Sequence, residues 1–272
     1  MCDPSHACAV FDLQVYIPRS LRKVLCFIRE GYPFIVLQRE SSEIGTCVYM
    51  FIRKLDELDT KTVALFADSY GGQNKNTIVA AMLLYVVHHS SSLEEITLNF
   101  FGPNHGQSEG DSAHSTIAYA IKQVGDIFIP SQFIPIFRLA KRKKPYTVHA
   151  MQPTDFLDFK QFSKDMRLNS VKSALWYHET IKWTKITELR VKKTDRQMIF
   201  FETYPSGRSY KCLSLKMQCA EALKEWPKPL VELPKLPSNK YQDLLSLCQG
   251  QTPVIQSETH KDFNRQLHHE EQ

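Results

Sequence analysis

The 272-residue chain is expected to fold as an α/β protein: a mixed sheet flanked by helices, with a small α+β extension toward its C-terminus. Three observations predict this class. Ala7 to Ile17 alternates, with Ala7, Ala9, Phe11, Leu13, Val15 and Ile17 on one side and Cys8, Val10, Asp12, Gln14 and Tyr16 on the other, which is the period of a strand. Thr62 to Ala67 is short, β-branched and apolar, and Thr77 to Val87 is apolar on every side, so the order reads strand, polar loop, buried helix. Ile96 to Phe101 and a helix from about Ser112 to Val124 repeat that order. Two consecutive strand–loop–helix units predict parallel neighbours joined by a right-handed crossover.

The remaining elements follow in chain order. Pro18 ends the first strand, and Leu21 to Ile28 and Phe34 to Leu37 read as two short strands around Gly31-Tyr32-Pro33. Ser42 to Leu58 reads as a helix, with Glu43 near its start and Arg53 and Lys54 near its end in accord with the helix dipole. Pro130 and Pro135 lie so close together that the stretch between them is expected to be irregular and extended. Tyr146 to Met151 reads as extended and Phe156 to Phe162 as an aromatic helix. Ile181 to Val191, Gln197 to Tyr204 and Ser209 to Leu215 look like strands, the last two forming a hairpin through Pro205-Ser206-Gly207-Arg208. Pro227 to Pro237 is a proline-rich connector, Ser238 caps a short helix over Tyr241 to Cys248, and Gln249 to Gln272 reads as a polar, frayed tail. Three segments result: a core over 1–144, a small α+β extension with three strands over 145–226, and the connector, helix and tail over 227–272.

Composition narrows the classes of function. With 43% hydrophobic and 23% charged residues the chain is of ordinary globular make-up. Its longest apolar run, Ile78 to Val87, is far short of the roughly 18 residues that span a bilayer, so no membrane partner is expected. Met1-Cys2-Asp3-Pro4-Ser5-His6 lacks the basic and apolar regions of a secretory signal, and an intracellular protein is expected. Seven cysteines without a Cys-x-x-Cys pair argue against a disulfide framework and a zinc ribbon; Cys8, Cys26 and Cys47 read as small core residues. The formal net charge of +5 favours a polyanionic partner. The excess is concentrated in Lys141-Arg142-Lys143-Lys144 and in Lys182, Lys185, Arg190, Lys192, Lys193 and Arg196. Each group is either a solvated face or a set of phosphate contacts, and the tetrabasic run also suits nuclear import.

The chemistry centres on Asp68. It stands where the apolar strand stops and the loop Gly71-Gly72-Gln73-Asn74-Lys75-Asn76 begins, and ligands of such sheets bind outside the carboxyl ends of the strands. The next such loop, Gly102 to Asp111, carries His105, Gln107, Glu109 and Asp111, a set suited to a hard cation. Asp12 on the first strand, Asp68 and an acid after the following strand match an RNase H-like arrangement. There, two divalent metals need carboxylates from separate strands to hold them against their mutual repulsion. Blander readings stand beside these: Asp68 as a turn aspartate, Asp12 as a solvent-facing strand residue, Glu109 as a loop acid, Asp111 as an N-cap at Ser112, and His105 and His114 as structural histidines. Trp176, Trp183 and Trp226 read as core anchors rather than base-stacking platforms. No Gly-x-x-x-x-Gly-Lys-Ser/Thr occurs, and Gly110-Asp111-Ser112 lacks the downstream Asp-x-x-His of an esterase.

Three blocks carry a family resemblance: Phe11-Asp12-Leu13-Gln14, Asp68-Ser69-Tyr70-Gly71-Gly72-Gln73-Asn74-Lys75-Asn76, and Glu109-Gly110-Asp111-Ser112-Ala113-His114-Ser115-Thr116-Ile117. The chain resembles a family of transposase-derived, RNase H-like (DDE-type) domains of largely unknown function. The likeness continues through Tyr146, Asp155 to Lys160, Trp183 and Leu215 to Lys240-Tyr241-Gln242-Asp243-Leu244-Leu245. It implies descent from a transposase or integrase that performs two-metal strand transfer on DNA, with Asp12, Asp68, Asp111 and Glu109 as catalytic acids and Asp12, Asp68 and Asp111 as ligands of Mg²⁺ or Mn²⁺. It further implies DNA as partner through Gln73, Asn74, Lys75, His105, Lys141, Arg142, Lys143 and Lys144, with possible homo-oligomers and a nuclear, otherwise cytoplasmic, location. Where the family carries a Glu after Ser-Thr-Ile, this chain has Ala118. The chain is also shorter than the family pattern between Asp12 and Glu43, so the second and third strands are expected to be poorly formed. The expectation is an inactive or domesticated derivative, with Glu109 or Asp111 as a substitute third acid. A non-catalytic nucleic-acid- or protein-binding module is the alternative.

Overall fold

The computed structural model describes residues 5–14, 24–29, 32–37, 41–69, 74–102, 109–127, 130–143, 145–149, 151, 153–166, 168, 183–195, 198–203, 211–214, 221–230, 238–250 and 253–266. Its strands are β1 (His6–Gln14), β2 (Val24–Arg29), β3 (Tyr32–Leu37), β4 (Thr62–Ala67), β5 (Glu95–Phe100), β6 (Thr147–Val148), β7 (Ile186–Lys192), β8 (Met198–Thr203) and β9 (Lys211–Ser214). Its helices are α1 (Ser41–Glu57), α2 (Thr77–His89), α3 (Glu109–Val124), α4 (Phe133–Leu139), α5 (Phe159–Asp165), α6 (Ser238–Ser246) and α7 (Glu258–Arg265).

Among the described residues, nine strands form one mixed sheet in the order β6-β3-β2-β1-β4-β5-β7-β8-β9. The first three strands are an antiparallel meander, and β4 and β5 then add parallel to β1. The order β3-β2-β1-β4-β5 with these directions is an RNase H-like core, and the expected α/β class holds. Contrary to the expectation of poorly formed strands, the short stretch between Asp12 and Glu43 holds both β2 and β3, paired over their full lengths because the link from Arg29 to Tyr32 is short. The segment after residue 144 adds to both edges: β6 pairs parallel with β3, and β7, β8 and β9 continue antiparallel from β5.

Why these segments take these forms is plain from their burial. Along β4 and β5 burial alternates strictly, with Val63, Leu65, Ala67, Ile96, Leu98 and Phe100 inward. They meet Ala7, Ala9 and Phe11 of β1 and the helices α1, α2 and α5 in one core. Helix α2 is buried without interruption from Val79 to Val87, as its all-round apolar sequence requires. A second, smaller cluster gathers Ala113 and Ile117 of α3, Phe133, Ile136 and Phe137 of α4, and Tyr146. Helix α3 also packs against β1 and β2.

Three expectations need correction. Pro130 to Leu139 is helical, a 3-10 turn over Pro130–Gln132 leading into α4. Pro135 sits in the first turn of α4, where a missing N–H breaks no helical bond. The polar tail contains α7, held by Tyr241 Oη donating to Arg265 O at 3.1 Å and by the buried Asn264, whose amide donates to Cys248 Sγ. Cys8 is exposed because it lies on the face of β1 opposite Ala7 and Ala9, whereas Cys47 is buried as expected; the side chain of Cys26 lies outside the described residues.

Candidate functional site

Strands β1 and β4 run side by side in a fixed register, from His6 opposite Thr62 to Val10 opposite Phe66. Asp12 and Asp68 each lie two residues past that last pair, so the same register continued makes them equivalent positions on neighbouring strands. Asp12 is still within β1, paired there with Cys26 of β2. Asp68 is the first residue after β4, at the carboxyl end of the sheet. Parallel pairing therefore brings together two acids that are far apart in the sequence.

Asp68 is half-buried. Its Oδ1 accepts a hydrogen bond from Nδ2 of Asn74, and among the described residues its Oδ2 accepts none. Asn74 is itself fully buried, so the bond is shielded from water and holds the carboxylate in one place. The chain leaving β4 is tied to the chain leaving β5: Phe101 N donates to Ala67 O at 2.9 Å, Ser69 Oγ donates to Phe101 O at 2.7 Å, and the Phe66 and Phe101 rings stack. Asn76 caps α2 by accepting from Ile78 N and Val79 N at 3.0 and 3.1 Å, while its Nδ2 donates to Ser41 Oγ at the start of α1.

Lys75 points inward as well. It is 6% exposed, its Nζ donates to Thr184 O at 3.1 Å and lies 4.9 Å from the centre of the Phe100 ring. Burial holds its pKa below the usual lysine value. The expectation that Asn74 and Lys75 contact nucleic acid is thus overturned for the free protein: both side chains are enclosed and engage the protein itself. Their part in the site is to fix the loop on which Asp68 is carried. Ser69 and Asn76 share that task; only the cap of Asn76 has a signal in the sequence, an Asn directly before the apolar run of α2.

Glu109 and Asp111 lie in the first turn of α3, so they belong to the helix rather than preceding it. At a rise of 1.5 Å and a turn of about 100° per residue, Ala118 is roughly 13 Å along the axis from Glu109 and on the opposite face. Asp111 shares the face of Ala118 but stands roughly 10 Å away. Both acids thus stand on α3 away from position 118, nearer the helix's N-terminal end. His114 is buried in α3, in keeping with its structural reading. Gln73, His105 and Lys144 lie outside the described residues, as do the side chains of Asp12, Glu109 and Asp111. Among the described residues no three His, Cys, Asp or Glu side chains gather as a metal site.

The two basic segments differ. Lys141, Arg142 and Lys143 are exposed just past α4, with the Lys141 ammonium 6.0 Å from the centre of the Tyr146 ring. In β7, Arg190 pairs with Glu188 at 3.1 Å and Glu95 at 3.6 Å and Lys192 lies 3.8 Å from Glu95; just past the strand, Lys193 Nζ donates to Ser90 O and Ser91 O. Arg190, Lys192 and Lys193 thus find their partners within the protein, whereas Lys185 is exposed and Lys182 and Arg196 lie outside the described residues. Trp183 packs half-buried against the main core, whereas Trp226 is 60% exposed and is not an interior anchor; Trp176 lies outside the described residues. Among the described residues no helix is long and apolar enough to cross a membrane. Comparison with protein-family models and with curated proteins finds no match to this chain.

Proposed function

We propose that the chain is a transposase- or integrase-derived domain, descended from a two-metal DNA strand-transfer enzyme and now inactive or domesticated. One observation carries this reading: Asp12 and Asp68 occupy equivalent register positions on the central parallel pair of an RNase H-like sheet. The donor set fits Mg²⁺ or Mn²⁺, since both residues offer hard carboxylate oxygens and Asp68 keeps one oxygen open. A bound ion there would supply Lewis-acid activation of a water or 3′ hydroxyl. Asn74 and Ser69 hold the loop that carries Asp68, and Glu109 or Asp111 in the first turn of α3 would be the substitute third acid, position 118 being alanine. DNA would meet the exposed Lys141, Arg142 and Lys143, and the tetrabasic run would direct the protein to the nucleus. The alternative, a binding module without metal, rests on the alanine at 118.

Mn²⁺ titration of the purified protein, followed by melting temperature, separates the two. Saturating Mn²⁺ at about 100 times its Kd should raise the parent's stability by roughly 2.7 kcal/mol, several degrees in Tm, with no rise in Asp68→Asn. A parent that melts at the same temperature with and without metal would leave the binding module as the better reading. Strand cleavage of DNA should be undetectable in either protein. DNA affinity should fall steeply with salt, and replacing Lys141, Arg142 and Lys143 by alanine should flatten the salt slope by about one for each phosphate no longer neutralised. A slope untouched by that triple change would remove these residues from the interface.

A further inference from the structure

A cavity of about 300 Å³ opens between α5 and the segment Glu221 to Leu230. Trp226 forms part of its lining and is 60% exposed. Its ring is nevertheless fixed, meeting Tyr49 and Tyr85 edge-on at 6.1 and 5.8 Å between centres. An aromatic surface held from behind and open in front is unusual for a side chain that folding would otherwise bury.

Three carboxylates, Asp158, Asp165 and Glu225, line the same cavity against a single ammonium, that of Lys228. Asp158 Oδ1 accepts from Gln161 N at 2.8 Å and Asp165 Oδ1 accepts from Gln161 Nε2 at 2.8 Å, so each has its second oxygen to offer. Glu225 makes no ion pair among the described residues. The wall opposite α5 is strapped in place: Asp158 N donates to Lys228 O at 2.8 Å, Leu230 N donates to Phe156 O at 2.7 Å, and Leu157 and Pro229 form a bridge. The cavity is therefore preformed, concave and net negative, with an indole on its lining. At this volume it is at the small end of ligand pockets, sized for one side chain or a small molecule.

We propose that this cavity binds an organic cation, an alkylammonium or guanidinium group, between the indole of Trp226 and the carboxylates of Asp165 and Glu225. The indole is the best of the aromatic faces for a cation, and the unmatched carboxylates supply the charge that a neutral apolar guest would leave unpaired. This assignment is independent of the metal site and of DNA binding.

The test uses the full chain with its tryptophan indoles labelled with ¹⁵N, the Trp226 signal being assigned from Trp226→Phe. Choline chloride is titrated against its neutral carbon isostere, 3,3-dimethyl-1-butanol, with sodium chloride as the ionic-strength control. Choline is expected to move the Trp226 signal saturably while the alcohol and the salt do not. The double change Asp165→Asn with Glu225→Gln, at exposed or rim positions, should weaken choline roughly tenfold without altering Tm. Equal shifts from choline and the alcohol, or a choline shift that never saturates, would overturn the proposal. A lysine-containing peptide run beside free n-butylamine then distinguishes the source. A peptide that binds more tightly identifies a protein side chain, and equal binding identifies a free amine.

Discussion

Two aspartates at opposite ends of the sheet show how differently the same side chain is used. Asp56, near the end of α1, is 5% exposed, and both of its oxygens are occupied. Oδ1 accepts from Ser92 N at 2.7 Å and Leu93 N at 3.3 Å; Oδ2 accepts from Ser91 N at 3.0 Å and Ser91 Oγ at 3.1 Å. Burial alone would push its pKa up, but the hydrogen bonds from Ser90, Ser91 and Ser92 outweigh it and bring the value down to about 2. Asp68, at the carboxyl end, has one such bond and an open oxygen. A carboxylate whose acceptor capacity is filled by its own chain builds the fold, whereas one left half-filled at the mouth of a parallel pair is available to a ligand.

The same substitution at both sites tests that contrast, and its largest effect is at Asp56. In Asp56→Asn one oxygen becomes an NH₂ that must face backbone N–H groups, leaving buried donors unsatisfied. We expect a loss of about 3 kcal/mol, measured by urea unfolding at pH 7. The parent's own pH dependence should show the same group. Because the folded pKa lies below that of the unfolded chain, its contribution is complete above about pH 4 and is lost as pH falls toward 2. The shift is worth roughly 2 kcal/mol. If the parent and Asp56→Asn lose stability in parallel on the acid side, other carboxylates govern that limb.

Lys75 gives an intermediate effect and asks whether the loop after Asp68 serves the fold or a ligand. Methionine has similar length and no charge, so Lys75→Met removes the burial cost of an ammonium but leaves Thr184 O without its donor. The two nearly cancel, and stability should change by less than about 1 kcal/mol at pH 7. The lowered pKa of Lys75 means that the unfolded chain binds more protons, so the parent should gain on Lys75→Met as pH rises toward the ordinary lysine value of about 10.4. Unchanged stability combined with lost DNA affinity would move Lys75 from the scaffold to the ligand.

Much of this contrast is legible in the sequence, but unevenly. Thr62 to Ala67, the run of α2 and the place of Asp68 follow from short-range period and composition, and β4 has the bounds its apolar run suggests. Pairing is a long-range property. Nothing local says that β6 joins β3 or that β7 joins β5, and so the three late strands resemble a separate extension until the sheet is seen. The charges of β7 read as free because Glu95, which meets Arg190 and Lys192, lies on another strand. The inward turn of Asn74 and Lys75 is equally hidden, since polar residues after two glycines ordinarily belong to an exposed loop. In α7, by contrast, a local signal exists: Glu258 and Lys261, and Asp262 and Arg265, are paired three residues apart on an otherwise polar helix.

The smallest effect on stability is expected at Asp68 itself. In Asp68→Asn the remaining carbonyl oxygen can still accept from Asn74 Nδ2, and the new NH₂ takes the side where no described donor points. The residue is also half-open to water, which satisfies the amide at little cost. Metal-free unfolding should therefore agree with the parent within about 0.5 kcal/mol, the range of an ordinary surface change. The parallel loss of about 3 kcal/mol for Asp56→Asn makes this near-zero value informative, because the chemical change is identical and only the filling of the acceptors differs. If the metal-free Asp68→Asn protein instead loses as much as Asp56→Asn, Asp68 is a second structural carboxylate and the open oxygen no longer argues for a metal. If it loses nothing and also abolishes the Mn²⁺ shift, the carboxyl end of the β1–β4 pair is a binding site whose charge the fold does not itself require.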